Sequence, residues 1–355
     1  MDDAEIAAGS IVAMKSETGI LNQILTNIIG ADRTARLFQV LVIHPTIAED
    51  QRSQVSRAVL AQALNMLLFE DLLARVPAAK NYVDQCLRDG KTVMHDHGAV
   101  RTVALEGMGA LPAGQEAITR VLRPLGYALN GVYPLERLRM TGRSHAQVDY
   151  PEDIAQFFIS ELHPERFTPE FQQVVQRVTS TSINPVTPEA ESLLNKLEAD
   201  NSLTLEEATK LLPILVSVFG RQHPEPTLAD YEALLAESPE MAWISTEGNA
   251  FNHATDRVPD VDQLAAELKA LGTPMKDAVE TSQSRRVRQT ATRAAMVQRT
   301  FRTPDGTIQK EVPGSFYEFI TRLPLPTEDG KQALDLSFDS SNAQAIFKMT
   351  ANPKP

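Results

Sequence analysis

The spacing of apolar residues divides the chain into helical stretches and stretches of short strands. Up to Leu87 the apolar positions recur about every 3.6 residues, as at Leu60, Leu64 and Leu67, which is typical of amphipathic helices. From Lys91 the pattern changes to short β-type runs, and it then alternates between the two. The pattern predicts five parts: a helical N-terminal segment (1–90), a first β-type unit (91–163), a helical insertion (164–240), a second β-type unit (241–323) and a C-terminal tail (324–355).

The two β-type stretches repeat one order of elements. In the first, a strand through His97 to Leu105 precedes a helix near residues 114–125 and about three strands that end at Leu162. In the second, a strand from Ala242 through His253 precedes a helix at 261–271. Three further strands follow it, at 278–292, 296–302 and 315–323. We therefore predict an α+β protein built from two βαβββ units that are separated by the helical insertion.

Local signals mark the helix starts of the insertion. Thr168 and Thr187 each offer a capping hydroxyl followed by proline and glutamate, and Thr204 to Glu207 has the spacing of a capping box. The tail after Pro324 is rich in turn formers, and we expect it to be loosely ordered.

Charge and composition narrow the class of protein. The formal net charge of −12 opposes binding to a phosphate backbone, and the single cysteine, Cys86, excludes an intramolecular disulfide and favours a reducing compartment. No apolar run reaches the roughly 18 to 20 residues that span a bilayer, and the acidic start lacks the features of a signal peptide. We expect a cytoplasmic protein without nucleic-acid or membrane partners. The basic run 284–288 is either a solvated strand face or one side of an anion site.

Two histidines and one glutamate are the candidate metal ligands. His97 and His253 both begin the pattern His-x-x-x-Arg, and Glu318 lies among aromatic and β-branched residues on the last predicted strand. If the repeat alignment holds, the two histidines are equivalent, and the position equivalent to Glu318 is Phe157, which cannot bind a metal. Two histidines and one carboxylate with open coordination positions form the ligand set of a non-haem iron(II) site. His95, two residues from His97, is an alternative ligand because it would share that face of a strand.

Arg101 and Gln289 are the candidate substrate-binding residues. Arg101 follows His97 by four residues, so both side chains point to one face of an extended strand. Arg101 could hold the far carboxylate of a substrate whose near end chelates the metal, or it could form an ordinary ion pair. Gln289 could donate a hydrogen bond to a chelated oxo acid, or it could face solvent. The chain has no Gly-rich phosphate loop, GxSxG elbow or CxxC pair.

With these residues in view, the sequence resembles the 2-oxoadipate dioxygenase/decarboxylase family, whose members look like vicinal oxygen chelate proteins. The similar stretches are HGAVRTV, WISTEGNAFNHATDRVPDV, LKALGTPMKDAVE, RVRQTA and VPGSFYEFITR, within about residues 90–322. The resemblance implies that His97, His253 and Glu318 bind Fe(II), that Arg101 anchors the distal carboxylate and that Gln289 contacts the substrate. It also implies that a 2-oxo acid, 2-oxoadipate, reacts with O2 to give 2-hydroxyglutarate and CO2.

The resemblance leaves alternatives. The chain ends soon after the Glu318 strand, whereas better-characterised members use C-terminal residues to close the substrate pocket, so the exact substrate stays open. A glyoxalase-like lyase or isomerase would use the same fold with Zn, Ni or Co. A non-catalytic metal- or ligand-binding module is the third alternative.

Overall fold

The N-terminal part of the chain is helical where the structure describes it. The structure is a computed structural model that describes residues 18–326 and 332–351; the predicted helix over the first 17 residues lies outside them. The elements of this part are α1 (Ile20–Ile29), α2 (Ala31–Val40), α3 (Pro45–Ala48), the short strand β1 (Gln54–Ser56), α4 (Arg57–Arg75) and α5 (Pro77–Arg88). Ser56 caps α4, whose side chains are buried over most of its length. Cys86 on α5 is buried.

The first βαβββ unit has the predicted order. Its elements are β2 (His95–Val103), α6 (Glu116–Leu122), β3 (Tyr127–Leu135), β4 (Met140–Gln147) and β5 (Gln156–Leu162). Strands β3, β4 and β5 form an antiparallel meander, and β5 returns parallel to β2. The first strand and the last strand of the unit are therefore neighbours, which brings their side chains onto one shared face.

The region of the predicted insertion is mostly helical, and its helices continue past residue 240 to Glu247. Its elements are α7 (Pro169–Thr179), α8 (Pro188–Asp200), β6 (Ser202–Thr204), α9 (Leu205–Val218), α10 (Leu228–Glu237) and α11 (Pro239–Glu247). Thr168 and Thr187 cap their helices, and Thr204 and Glu207 form the capping box. The predicted strand from Ala242 to His253 is wrong, because its first half is α11.

The second unit repeats the first with one addition. Its elements are β7 (His253–Arg257), α12 (Val261–Ala270), β8 (Glu280–Thr281), β9 (Val287–Ala291) and β12 (Phe316–Arg322). Strands β10 (Met296–Thr303) and β11 (Gly306–Pro313) form a separate hairpin between β9 and β12. The predicted strand at 296–302 therefore exists but does not belong to the main sheet, and the stretch 278–292 contains two strands.

Eight strands in the described part of the chain form one sheet in the order β3-β4-β5-β2-β7-β12-β9-β8. Strands β2 and β7, the first strand of each unit, pair antiparallel at the centre. Outward from this pair, β5, β4 and β3 on one side correspond to β12, β9 and β8 on the other. This order confirms the predicted α+β fold with paired βαβββ units, while the five-part division of the chain stays a prediction.

The two faces of the sheet pack against different groups of helices. Val100, Phe157 and Tyr317 point to one face, where they join the N-terminal helices in the larger hydrophobic core. Ala99, Phe158 and Phe316 point to the other face, where they pack with α7, α10 and α11. The candidate ligands share this second face. No helix among the described residues is long and apolar enough to cross a bilayer.

The C-terminal segment packs onto the site face, so the prediction of a loosely ordered tail is wrong for its described part. After the short pair β13 (Pro324–Pro326) and β14 (Gln332–Leu334), helix α13 (Ser340–Ile346) and a 3-10 turn (Phe347–Met349) lie against the sheet. Phe338, Ala343 and Phe347 pack in the core on this face. We call residues 332–351 the cover. The remaining residues of the predicted tail, 327–331 and 352–355, lie outside the described ones.

Candidate metal centre

Three predicted ligands meet at the centre of the sheet. His97 lies on β2, His253 at the start of β7 and Glu318 on β12, and all three are buried. His97 Nε2 lies 3.3 Å from Glu318 Oε1 and 3.4 Å from His253 Nε2, and His253 Nε2 lies 3.8 Å from Glu318 Oε2. Two atoms that each lie about 2.1 Å from one ion are about 3.0 to 3.4 Å apart at right or tetrahedral angles. The three side chains therefore fit a single metal ion with small adjustments.

Asp96 and Thr255 orient His97 and Glu318. His97 Nδ1 lies 2.8 Å from Asp96 Oδ1, so a proton on Nδ1 leaves Nε2 free for a metal. Thr255 Oγ1 donates a hydrogen bond of 3.1 Å to Glu318 Oε1 and lies 3.1 Å from His97 Nε2. These contacts hold both donor groups in rotamers that face the same point.

Asn252 orients the ring of His253. Its Nδ2 lies 3.0 Å from His253 Nδ1, and its buried Oδ1 has no hydrogen-bond partner among the described residues. Rotation of this amide by half a turn lets Oδ1 accept a hydrogen bond from His253 Nδ1, which frees Nε2 for a metal. The orphaned acceptor is what a metal-bound His253 requires.

Burial and charge set the protonation of the site. Burial lowers the pKa of His253 to about 3, against the opposing charge of Glu318. Burial opposes charge on His97 as well, but the carboxylates of Asp96 and Glu318 outweigh it and leave the pKa of His97 above its ordinary value. Burial raises the pKa of Glu318, yet the two histidines outweigh it and the net direction is down. Glu318 is thus an anion, which a divalent cation needs.

His95, the alternative ligand, does not share the face of the sheet that carries His97. A bulge between His95 and His97 breaks the alternation of β2. The ring of His95 therefore packs against Phe69 of α4 on the opposite face, with ring centroids 5.4 Å apart, and His95 is not in the ligand cluster.

The counterpart of Glu318 is Phe158, not Phe157. Strand pairing aligns Thr255 with Glu318 in the second unit and Ala99 with Phe158 in the first. Thr255 and Ala99 each follow a candidate histidine by two residues. Phe158 lines the cavity at the ligands, so this fourth position is apolar as predicted, one residue later in the chain.

Arg101 lies on the ligand face and is fully buried, with 0% of its surface exposed. Its Nη2 donates a 2.7 Å hydrogen bond to Thr350 of the cover, but Nε and Nη1 have no hydrogen-bond partner among the described residues. The guanidinium lies between the rings of Trp243 and Phe347, 4.7 and 4.5 Å from their centroids. Burial lowers the pKa of Arg101 from 12.5 to about 10. No carboxylate of the described residues forms an ion pair with it, which leaves the predicted alternative of a structural ion pair without support.

The cavity at the ligands is small and closed by the cover. Its walls include the three ligands, Gln289, Phe158, Phe338 and Phe347. Its free volume of about 20 Å³ holds roughly one water molecule. Gln289 is buried on β9 and lines this cavity rather than facing solvent, and its contact with a substrate stays a prediction. Phe347 separates the cavity from Arg101, because its ring both lines the cavity and covers the guanidinium.

The basic run 284–288 does not contribute to this cavity. It leads into β9, and Arg288 Nη2 donates a 2.8 Å hydrogen bond to Asp262 of α12. Sequence patterns missed the residues that complete the site, namely Asp96, Asn252, Thr255, Trp243, Phe338, Phe347 and Thr350. A signal existed for two of them only, since Asp96 and Asn252 directly precede the predicted histidines.

Comparison with known sequences gives the same family that the sequence stretches resemble. The sequence profile of the 2-oxoadipate dioxygenase/decarboxylase family matches residues 66–352. The chloroplastic/amyloplastic 2-oxoadipate dioxygenase/decarboxylase of Oryza sativa subsp. japonica is 23% identical over 309 residues, which are 79% of this chain and 76% of that protein.

Solved structures give the same fold. A glyoxalase superfamily protein of Ralstonia eutropha JMP134 is 51% identical, with a TM-score of 0.85 over 90% of this chain and 98% of that one. The hydroxyglutarate synthase of Oryza sativa in complex with 2-oxoadipate is 19% identical, with a TM-score of 0.63 over 83% of this chain and 93% of that one. The extent of the profile match decides the assignment: this chain is an enzyme of the 2-oxoadipate dioxygenase/decarboxylase family.

Proposed function

We propose that the protein is an Fe(II)-dependent dioxygenase that decarboxylates a 2-oxo acid with a distal carboxylate, with 2-oxoadipate as substrate and 2-hydroxyglutarate and CO2 as products. One observation carries the proposal: a three-ligand centre lies on the same face of the sheet as Arg101, a buried cation whose Nε and Nη1 lack partners among the described residues. A carboxylate binds one edge of such a guanidinium, either Nε with Nη2 or Nη1 with Nη2, through two parallel hydrogen bonds.

The proposed reaction balances without a second 2-oxo acid. 2-Oxoadipate and one O2 give 2-hydroxyglutarate and one CO2; the bond between the first two carbons breaks, one oxygen atom enters the new carboxylate and the other becomes the hydroxyl. Fe(II), when bound by His97, His253 and Glu318, supplies chelation of the 2-oxo acid and the redox chemistry of O2. The four-electron reduction of O2 is matched by oxidation of the substrate's own carbons.

The residues of the chain supply orientation and exclusion of water. Gln289 donates a hydrogen bond to the oxo acid end of the substrate, and Arg101 binds the distal carboxylate, which fixes the chain between two points. Since the closed cavity holds only about 20 Å³, the cover moves when substrate enters and Phe347 moves away from Arg101. Closure then keeps bulk water from the reacting carbon.

The test is anaerobic reconstitution with Fe(II), followed by oxygen uptake and product analysis on 2-oxo acids with and without a distal carboxylate. Uptake with 2-oxoadipate that yields CO2 and 2-hydroxyglutarate in equal amounts supports the proposal. Uptake with another 2-oxo acid only would keep the reaction class and reject the substrate.

Metal binding without oxygen uptake on any 2-oxo acid would reject the dioxygenase and favour the glyoxalase-like alternative with Zn, Ni or Co. Metal or ligand binding with no turnover of any kind would favour the binding module. The cytoplasmic location stays a prediction.

A further inference from the structure

The carboxylate of Asp96 links His97 to two arginines of the second unit. Its Oδ1 faces His97 Nδ1 at 2.8 Å. Arg257 Nε donates to Oδ2 at 2.8 Å, and Arg322 donates from Nε at 2.9 Å and from Nη2 at 2.9 Å. The side chains of Asp96 and Arg322 are both 0% exposed. A buried carboxylate with these partners has a single stable position, and through it His97 does as well.

Arg322 alone of the two arginines also binds the cover. Its Nη1 donates hydrogen bonds of 2.7 Å to the carbonyl oxygens of Asp335 and of Ser337. The contact of Arg257 beyond Asp96 is instead the carbonyl of Glu152, in the first unit. Arg322 therefore uses one planar group to hold Asp96 on one side and the cover backbone on the other.

Phe338 provides a second connection between the same two places. Its ring lies 4.9 Å from the Arg322 guanidinium, and its centroid is 4.8 Å from that of His97 at an interplanar angle of 90°. The Tyr133 hydroxyl accepts the Phe338 N–H at 3.1 Å, which fixes the backbone here. A shift of the guanidinium thus moves both the carboxylate that orients His97 and the aromatic ring that packs against it.

We infer that Arg322 is a positioning residue that couples metal binding to closure of the cover. The inference rests on the proposed metal site but not on the substrate or the reaction. The guanidinium is rigid and planar, so its donors to Asp96 and its donors to the cover cannot be optimal independently. Metal binding, which orders His97 and Asp96, stabilises the closed cover, and by reciprocity the closed cover raises metal affinity by the same factor.

The two arginines provide matched variants. Arg322→Gln and Arg257→Gln each remove one charge and one partner from Asp96, but only the first removes hydrogen bonds to the cover. We propose to measure Mn²⁺ affinity by calorimetry, and hydrogen exchange of a peptide spanning residues 332–338 with and without saturating Mn²⁺. Arg322→Lys keeps the charge without the fork and serves if Arg322→Gln does not fold.

In the unaltered protein, Mn²⁺ should slow exchange in this peptide several-fold. Both glutamine variants should bind Mn²⁺ about 10- to 100-fold more weakly, the usual effect of losing support for a ligand. Saturating Mn²⁺ should still slow exchange in Arg257→Gln, whereas exchange in Arg322→Gln and Arg322→Lys should no longer respond to the metal.

Two results overturn the inference alone: a metal response that persists in the Arg322 variants, or one that is lost equally in Arg257→Gln. Failure of the unaltered protein to bind any metal is a different result, because it rejects the proposed metal centre and the coupling together. A merely structural role for Arg322 would lower overall stability in both states without changing the metal response.

Discussion

Replacement of Arg101 by methionine separates a substrate anchor from a structural ion pair. Burial lowers the pKa of this arginine from 12.5 to about 10. Because the pKa of a base is depressed, the cost of keeping it charged is fully present at neutral pH and amounts to about 3 kcal/mol. Methionine keeps an unbranched apolar side chain between Trp243 and Phe347 and removes this cost.

The interactions that Arg101→Met removes stabilise the protein by about as much as burial of the charge destabilises it. The hydrogen bond to Thr350 contributes about 1.5 to 3 kcal/mol, and each cation–π contact about 1 kcal/mol. We therefore expect the free energy of unfolding of Arg101→Met to lie within about 2 kcal/mol of the unaltered protein. Breaking a buried ion pair would instead cost about 3 to 5 kcal/mol.

Activity should fall far more than stability, and only for one class of substrate. Loss of a buried, hydrogen-bonded charge pair costs about 2 to 5 kcal/mol, or about 30-fold to several thousand-fold in kcat/KM for 2-oxoadipate. For 2-oxohexanoate, which has the same number of carbons and no distal carboxylate, kcat/KM should change little. The assays are urea unfolding, metal content and oxygen uptake on both substrates. An equal loss on both substrates, together with a destabilisation above about 3 kcal/mol, would refute the anchoring role.

Three further predictions test the centre and the sheet that carries it. Glu318→Gln should lower metal affinity at least about 10-fold while the fold persists, measured by calorimetry and circular dichroism; unchanged affinity would exclude Glu318 as a ligand. Burial raises the pKa of Asp256 to about 7, so its contribution to stability is complete below about pH 4 and is lost as pH rises through 7. The free energy of unfolding, measured with urea, should therefore fall between pH 4 and 7 by up to about 4 kcal/mol less in Asp256→Asn than in the unaltered protein. An unchanged pH dependence would contradict this. A Cβ on Gly98 would lie 2.1 Å from the Phe251 ring, so Gly98→Ala should destabilise by about 1 to 3 kcal/mol, whereas Gly220→Ala, with no atom nearer than 3.9 Å, should not.

The cluster of candidate ligands could be predicted because each of its residues lies in a strand that also carries a local pattern. The two His-x-x-x-Arg runs mark equivalent strands, and the repeated order of elements indicates that they meet at one place. The alignment that paired Glu318 with Phe157 failed by one residue, since letters in FFISEL and EFITRL do not record strand register. A shift of one residue moves a side chain to the other face of the sheet, and only the pairing with β2 and β7 reveals Phe158 as the counterpart.

Helix α11 and the cover escaped prediction for two different reasons. Residues Glu240 to Glu247 are all buried, so α11 has no solvent-exposed side and loses the 3.6-residue signal that distinguishes a helix from a strand. Half of the cover's residues are apolar, but Asp, Ser and Asn occupy six of the eight positions 335–342 and favour turns, so its local preference is weak. Its order comes from distant contacts, among them the bonds from Arg322 to the carbonyls of Asp335 and Ser337.

The orientation of the two units explains why three similar patterns have three different roles. Each ligand is followed by an arginine four residues later: Arg101 after His97, Arg257 after His253 and Arg322 after Glu318. Strand β2 runs antiparallel to β7, and β12 runs parallel to β7. The first arginine therefore lies at one end of the centre and the other two at the opposite end, a distinction that depends on strand direction and is invisible in the spacing.

The carboxylate of Asp96 makes the two ends of the centre chemically different. It pairs with both Arg257 and Arg322, because both donate to its carboxylate, whereas no described acid pairs with Arg101. One end of the centre is thus a closed network that positions His97 and the cover, and the other end keeps an unsatisfied cation. A substrate with two acidic ends fits this polarity, since one end chelates the metal and the other can reach only Arg101. An engineered acid beside Arg101 should consequently mimic Asp96 and abolish the proposed preference for dicarboxylates, without affecting the candidate ligands.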